Sequence, residues 1–309
     1  MRILVTGGAG YIGSVLCPLL LQHNHHVRVL DNLMYGGASL LPLFRHEHFE
    51  FVKGDIRDER TVEDAMRDCD AVIHLAAIVG FPACRLRPDL AQTVNVEGTR
   101  VVSKAAGKNR LVLFGSTGSN YGALTDEVCT ESTPLNPLSL YGKTKTAAEQ
   151  CLMEHNDTIA FRFATAFGVS PRMRLDLLVN EFVHIALHMK YLVVYESHFM
   201  RTFIHVQDIA RVFLFALENH GNMRGQVYNV GAEAMNYSKA AVCQMIKDKV
   251  DYYLHLADFG HDADKRNYVV SYQKISSLGY RTTITLQQGI DELIKACQVL
   301  DVRTPYTNV

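Results

Sequence analysis

An apolar run, Arg2-Ile3-Leu4-Val5-Thr6, leads straight into Gly7-Gly8-Ala9-Gly10-Tyr11-Ile12-Gly13, so glycines recur at every third position directly after a strand pattern. That spacing constrains what the chain can become. Gly7 permits a tight turn, Gly10 leaves room for a ligand, and Gly13 lets the following helix pack on the strand. The helix that begins there, with Val15, Leu16, Leu19 and Leu20 on one face, aims its N-terminus at the same spot and favours an anion. A second strand, Val27-Arg28-Val29-Leu30, ends at Asp31. A carboxylate about 20 residues beyond the turn can accept hydrogen bonds from an adenosine ribose. Turn, helix and acid together point to a dinucleotide held by Gly7, Gly10, Tyr11, Ile12, Gly13, Asp31 and Asn32. Asp31 repels a 2′-phosphate, and Asn32-Leu33-Met34-Tyr35 offers no arginine to receive one, so NAD is expected rather than NADP.

The bulk composition narrows the class. At 309 residues the chain can bury a large core in one or two domains. A net charge of −1 with 20% charged residues gives no basic surface for nucleic acid or membrane. No apolar run reaches the length of a membrane span. The first strand occupies the N-terminus, which argues against a signal peptide and for a cytoplasmic protein. The seven cysteines, from Cys17 to Cys297, form no Cys-x-x-Cys pair and read as thiols in a reducing compartment. Among 14 histidines, His23, His25 and His26 fall in a turn and His46 and His48 in a loop, without ligands at zinc spacing, so no metal is expected.

Strand patterns at 2–6, 26–31, 49–53, 70–75, 110–115 and 158–163 alternate with helical patterns near 12–22, 59–68, 89–107 and 139–154. Alternation of this kind predicts an α/β fold, a doubly wound parallel sheet of the Rossmann type with helices on both faces. Later segments near 172–188, 207–219, 237–250 and 286–298 read as helices with short strands between them. The expected division is a nucleotide-binding domain over 1–165 and a smaller, mixed α/β substrate domain over 166–309, with strands near 202–205 and 226–230 returning to the first sheet.

The middle of the chain carries the chemistry. Gly115-Ser116-Thr117-Gly118-Ser119 follows an apolar strand, and Tyr141-Gly142-Lys143-Thr144-Lys145 follows a Pro-rich turn. Tyr141 and Lys145 are four apart and share a helix face. A free tyrosine, with a pKa near ~10, is a poor base at neutral pH. A nearby ammonium and an oxidised nicotinamide ring both favour the phenolate. Thr117 could hold a substrate oxygen while Tyr141 removes its proton and hydride leaves the same carbon.

The ordered set resembles the extended short-chain dehydrogenase/reductase family, the nucleotide-sugar epimerases, dehydratases and reductases. The matching pieces are Thr6 through Gly13, Asp31-Asn32-Leu33, Gly54-Asp55, His74-Leu75-Ala76-Ala77, Asn95 through Thr99, Thr117, Tyr141-x-x-x-Lys145, Arg201 through Asp208, and Asn229-Val230-Gly231. The resemblance implies that Thr117, Tyr141 and Lys145 are the catalytic set. It also implies that Asp55 and Ile56 lie beside adenine, that Leu75, Ala76 and Ala77 line the cofactor, and that Asn95 sits near the catalytic end. Family dehydratases carry Asp-Glu after the catalytic Thr, and the decarboxylases a Glu. This chain has Gly118-Ser119 there, so redox at a sugar carbon is left. Thr165 replaces an Asn that touches the sugar nucleotide in galactose epimerases.

In the second half, Ser170-Pro171-Arg172-Met173-Arg174, Arg201 and Asp264-Lys265-Arg266-Asn267-Tyr268 offer arginine forks suited to a diphosphate. Arg172 and Arg174 read equally as a solvated helix start. The resemblance implies substrate contacts at Asn180, Arg201, Arg266 and Tyr268, while His205 reads as a cap at a strand–helix junction. These stretches are most similar to a narrower group, the GDP-heptose 4-dehydrogenases of bacterial capsule polysaccharide biosynthesis. That likeness implies NAD-dependent oxidation at C4 of a nucleotide-diphosphate sugar. A 4-epimerase of the UDP-galactose type, a ketosugar reductase and a non-catalytic NAD-sensing protein are the alternatives. The resemblance further implies a homodimer through the helices near 139–154 and 89–107, with Ala147, Ala148, Cys151 and Leu152 on the outer side of the first.

Overall fold

A computed structural model describes residues 1–122, 128–154, 157–257, 269–300 and 306–308. Seven parallel strands form the central sheet, in the spatial order Gln226–Val230, Thr158–Phe163, Leu111–Thr117, Ala71–His74, Arg2–Thr6, His26–Asp31, Phe49–Lys53. Apolar β-branched and aromatic residues fill these strands, as a sheet covered on both faces requires. One face, with Ile3, Val5, Val29, Ile73 and Phe161, packs against the helices Gly13–Gln22 and Val206–Met223. The other, with Leu4, Leu30, Val72, Phe114 and Ala160, packs against Glu59–Met66, Thr99–Ala106 and Leu140–Met153.

Strand order reverses between Arg2–Thr6 and Ala71–His74, whose ends pair Thr6 with His74. The chain leaves these neighbours in opposite directions, one to Gly7 and one to Leu75. A cleft opens at such a switch point, outside the carboxyl ends of the strands.

Four expectations need correction. The strand Met200–His205 does not join the central sheet. It pairs in parallel with Thr165–Phe167 and antiparallel with Asn236–Ser238, in a separate three-stranded sheet. Both edges of Thr158–Phe163 are already taken, by Leu111–Thr117 and by Gln226–Val230. The pattern at 172–188 is helical only over Leu178–His188, because the backbone before it donates elsewhere: Arg172 to Ser14 Oγ at 3.3 Å and Leu175 to the Tyr306 carbonyl at 2.6 Å. The pattern at 89–107 divides into Pro88–Gln92, a π-helical turn at Thr93–Gly98 and Thr99–Ala106. On the Leu140–Met153 helix, Ala148 and Leu152 turn inward to the core, leaving Ala147 and Cys151 half-buried on the outer side.

Caps fix the helices that matter for the cleft. Ser139 accepts from the Gly142 N–H at 3.0 Å and starts the Tyr141 helix. His205, fully buried, accepts from Gln207 N–H through Nδ1 and meets Glu292 through Nε2 at 2.7 Å, so it is the junction cap its position suggests. Among the described residues, no helix is long and apolar enough to cross a membrane.

Candidate active site

The three glycines occupy distinct environments. Gly7 has φ +74°, and a side-chain carbon there would stand 2.6 Å from Ala76 N. At Gly13 it would meet Gly7 O and Gly8 Cα, each at 2.5 Å, so helix and turn touch through that glycine. At Gly10 the nearest atom is Gly7 O at 3.1 Å, and the remaining space is open. Asp31 lines the cavity beside this turn. Its two carboxylate oxygens accept the Leu33 N–H at 2.8 Å and the Ala9 N–H at 3.0 Å. Burial pushes this carboxyl up, and the two backbone donors oppose that shift. Beside it Asn32 donates to Asp55 at 3.2 Å, and Arg57 grips Asp55 at two points, holding its carboxyl down at about 2.

A buried chain of hydrogen bonds sets the opposite wall. Thr99 Oγ donates to the Asn95 carbonyl at 2.6 Å, which leaves its lone pair facing His74 Nε2 at 3.0 Å. His74 Nε2 therefore carries the ring proton, and Nδ1 accepts from Thr6 Oγ at 2.6 Å. Thr6 Oγ in turn receives the Ala76 N–H at 3.3 Å. Burial, aided by the Lys145 charge, pushes His74 down to about 3 and keeps it neutral. Asn95 grips both backbone groups of Ile78, at 2.7 and 3.0 Å, and donates to Thr144 on the Tyr141 helix at 3.0 Å. It thus ties the Leu75–Ile78 segment to that helix.

Thr117 ends its strand at the cleft, accepting the Ser119 N–H at 3.1 Å and donating to Ser119 Oγ at 3.2 Å. Tyr141 and Lys145 reach the same space from their helix. Lys145 is only 3% exposed, with its ammonium 4.0 Å above the Phe114 ring. Burial pushes it down to about 7, and Glu149 one turn on opposes that shift.

Glycine turn, Asp31, Asp55, Ile56, Leu75, Ala76 and Ala77 line a single cavity of about 800 Å³ together with Thr117, Tyr141 and Lys145. Thr165, Arg172, Arg174 and Arg201 line it as well. Two asparagines do not. Asn95 works behind the wall, and Asn180 is fully buried, its amide bonded to Gly168 N and O and to the Arg174 carbonyl at 2.8 Å. Asn180 is therefore a clamp on the second half rather than a cavity contact. Arg266 and Tyr268 lie outside the described residues. Arg174 forks onto Asp176 at 3.0 and 2.6 Å, so it reaches the cavity already neutralised. Arg172 sits at the cofactor turn, bonded to Ser14 through its backbone and 4.7 Å over the Tyr35 ring.

Among the lining residues that the sequence reading missed are Tyr35, Asp176, Glu181, Lys239 and Asn308. Lys239 is buried, 5.7 Å from the Phe199 ring, just after the Ser238 cap of its helix. Its only local signal is that cap. Among the described residues, no group of three or more His, Cys, Asp or Glu is placed to hold a metal ion.

These residues suit NAD. Open space at Gly10 can admit a pyrophosphate, Asp31 offers a carboxylate suited to a ribose, and Lys145 brings a buried amine to the same cavity. Comparison with known proteins agrees. The sequence profile of the NAD dependent epimerase/dehydratase family matches residues 3–231. A dTDP-glucose 4,6-dehydratase from Actinoplanes sp. is 30% identical over 318 residues, 95% of this chain and 97% of the relative. A protein described as a putative UDP-glucose 4-epimerase from Methanocaldococcus jannaschii is 27% identical over 94% of this chain and 97% of its own length. Among solved structures, the UDP-glucose 4-epimerase of Thermus thermophilus in complex with NAD superposes with a TM-score of 0.85 at 26% identity, covering 97% of this chain and 100% of the other. Cleft, cofactor and family profile converge: the chain is an extended short-chain dehydrogenase/reductase, an NAD-dependent enzyme of the nucleotide-sugar epimerase/dehydratase family.

Proposed function

We propose that this enzyme oxidises C4 of a nucleotide-diphosphate sugar, with a GDP-heptose as substrate and its 4-keto form as product. The observation that supports this reading is the lining of the cavity: Thr117, Tyr141 and Lys145 all border it, and the residues after Thr117 are Gly118 and Ser119 rather than acids. When bound, NAD accepts the hydride from C4. Tyr141 takes the C4 hydroxyl proton, and the Lys145 ammonium one helical turn away favours its phenolate. Thr117 orients the sugar oxygen. With no carboxylate directly after Thr117, the keto sugar keeps its C6 substituent. Arg201 and Lys239, both buried cations of the second half, suit the diphosphate, and Asp176 and Glu181 can accept from sugar hydroxyls.

Epimerisation uses the same first half-reaction, differing in that the hydride returns to the other face of C4. A role as an NAD sensor is disfavoured, because sensing needs none of the Thr117, Tyr141 and Lys145 set. We also assign the enzyme to the cytoplasm, where free thiols persist, and to a homodimer built on the Thr99–Ala106 and Leu140–Met153 helices.

The test uses GDP- and UDP-sugars deuterated at C4, following NADH absorbance and the product by NMR. Deuterium on the cofactor with a 4-keto product is the expected result. Deuterium retained on an inverted C4 establishes the epimerase instead, and a 4-keto-6-deoxy product overturns the reading of Gly118 and Ser119.

A further inference from the structure

The segment that follows Gly168 leaves the second half of the chain and crosses the glycine turn. Ser170 Oγ donates to the Tyr11 carbonyl at 2.7 Å and lies 2.8 Å from Ser14 Oγ. Two residues on, the Arg172 N–H donates to Ser14 Oγ at 3.3 Å. Ser14 belongs to the first turn of the Gly13–Gln22 helix, whose N-terminus is the anion-binding end of the cleft. The backbone of Arg172 is thereby fixed against the cofactor turn.

Its side chain is placed by different partners. The guanidinium stacks 4.7 Å over Tyr35, four residues beyond Asp31. One Nη donates to the Thr307 carbonyl at 3.1 Å and the other to the Met173 carbonyl at 3.4 Å. Neither partner is charged. Among the described residues Arg172 forms no ion pair with a carboxylate. Of the two acids that bear on it, Asp176 is held at two points by Arg174, and Asp31 has both oxygens on backbone N–H groups. Burial and the Arg174 charge both press the Arg172 guanidinium down from its ordinary value, and Asp176, Tyr35 and Asp31 offset that shift only in part. Arg172 and Tyr35 line the same cavity as Gly10, Asp31 and Asn32.

The geometry points to Arg172 as a cofactor residue: a cation supplied by the second half of the chain that holds the adenosine diphosphate part of NAD, rather than the substrate diphosphate. A dianionic pyrophosphate is the charge this site lacks, and the fork geometry suits it. The inference rests on the cleft being the NAD site. It gives the two halves a division of labour, with Arg172 on the cofactor and Arg201 and Lys239 left for the sugar nucleotide.

Calorimetry on the nucleotide-free full chain tests this, with NAD, ADP-ribose, GDP and UDP as ligands. Arg172→Met is expected to weaken NAD and ADP-ribose alike by about 10- to 100-fold, the range for one charged hydrogen bond, while GDP and UDP bind as before. ADP-ribose lacks the nicotinamide, so an equal loss assigns the contact to the adenosine diphosphate part. Arg172→Lys keeps the charge without the fork and is expected to lose about threefold or more, which provides the same comparison should the Met variant not fold. Unchanged NAD affinity in both variants overturns the proposal, as does a loss confined to GDP or UDP. If the wild-type chain binds neither NAD nor ADP-ribose, the reading of the cleft fails first and the role of Arg172 with it.

Discussion

Glu149 and Arg162 meet as a two-point ion pair inside the protein, with Arg162 Nη2 at 2.6 Å and Nε at 3.2 Å from the Glu149 carboxylate and both side chains buried. Burial works against the Arg162 charge, and Glu149 more than restores it. The same carboxylate accepts from Ser116 and from Asn120 at 3.1 Å. The pair therefore fastens the helix of Tyr141 and Lys145 to the strand Thr158–Phe163, and the Ser116 bond ties the same carboxylate to the neighbouring strand that presents Thr117.

Removing one partner leaves the other as a buried, unpaired charge. Glu149→Ala is predicted to cost about 3–5 kcal/mol in urea unfolding. Glu149→Gln, which still accepts from Ser116, should cost less. A loss below about 1 kcal/mol for the Ala variant would show that the pair does not hold the helix to the strand.

The glycines separate packing from binding. Gly13→Ala forces a carbon to 2.5 Å from two backbone atoms, so it should destabilise the fold by about 1–3 kcal/mol. Gly10→Ala meets only one atom, at 3.1 Å, and it lines the cavity proposed to hold the cofactor. That variant should fold with a nearly unchanged thermal midpoint and lose NAD affinity by about tenfold or more, a difference of at least ~1.4 kcal/mol. Thermal melts with and without NAD compare the two. Equal NAD binding by Gly10→Ala and wild type would refute the assignment of Gly10 to the pyrophosphate.

His74 predicts an acid sensitivity. It sits at about 3 in the fold against 6.5 in the unfolded chain, so between those values the unfolded chain binds the additional proton. Stability then rises with pH across that window and falls as acid is added from 6.5 towards 3. Other carboxylates titrate in the same range, so the comparison is with His74→Gln, which removes this contribution. Urea midpoints at several pH values should give the wild type the steeper decline. Parallel declines would mean that His74 is not held neutral.

Tyr141→Phe keeps the ring and loses the hydroxyl. It should fold, retain NAD and lose about 10²- to 10⁴-fold in kcat, the usual worth of a positioned base. Near-normal turnover by this variant, with Lys145→Ala and Thr117→Val inactive, would reassign the base.

What could be read from sequence was what is local. The turn from Gly7 to Gly13, the acid at Asp31 and the pairing of Tyr141 with Lys145 each lie within one element or its boundary, so spacing alone sets their geometry. Arg172 and Lys239 could not be placed that way. Arg172 begins the pattern at 172–188 as though it opened a helix, yet its backbone is spent on Ser14, which is 158 positions away. The two asparagines fail for another reason. An Asn in a suitable place reads as a contact, but burial turned Asn180 into Gly168 and Asn95 into Ile78, and no periodicity tells which way an amide faces.

The strand Gln226–Val230 returns to the central sheet only after the chain has built the first part of its second half. A fragment ending near 165 would lack that edge. It would expose Thr158–Phe163, six residues that are all buried in the intact protein, as a naked strand ready to pair with another copy. The halves are thus not interchangeable cassettes. An engineer wishing to graft a new sugar specificity onto this chain can replace segments between 166 and 225 and beyond 231 while leaving in place the returning strand that covers Thr158–Phe163.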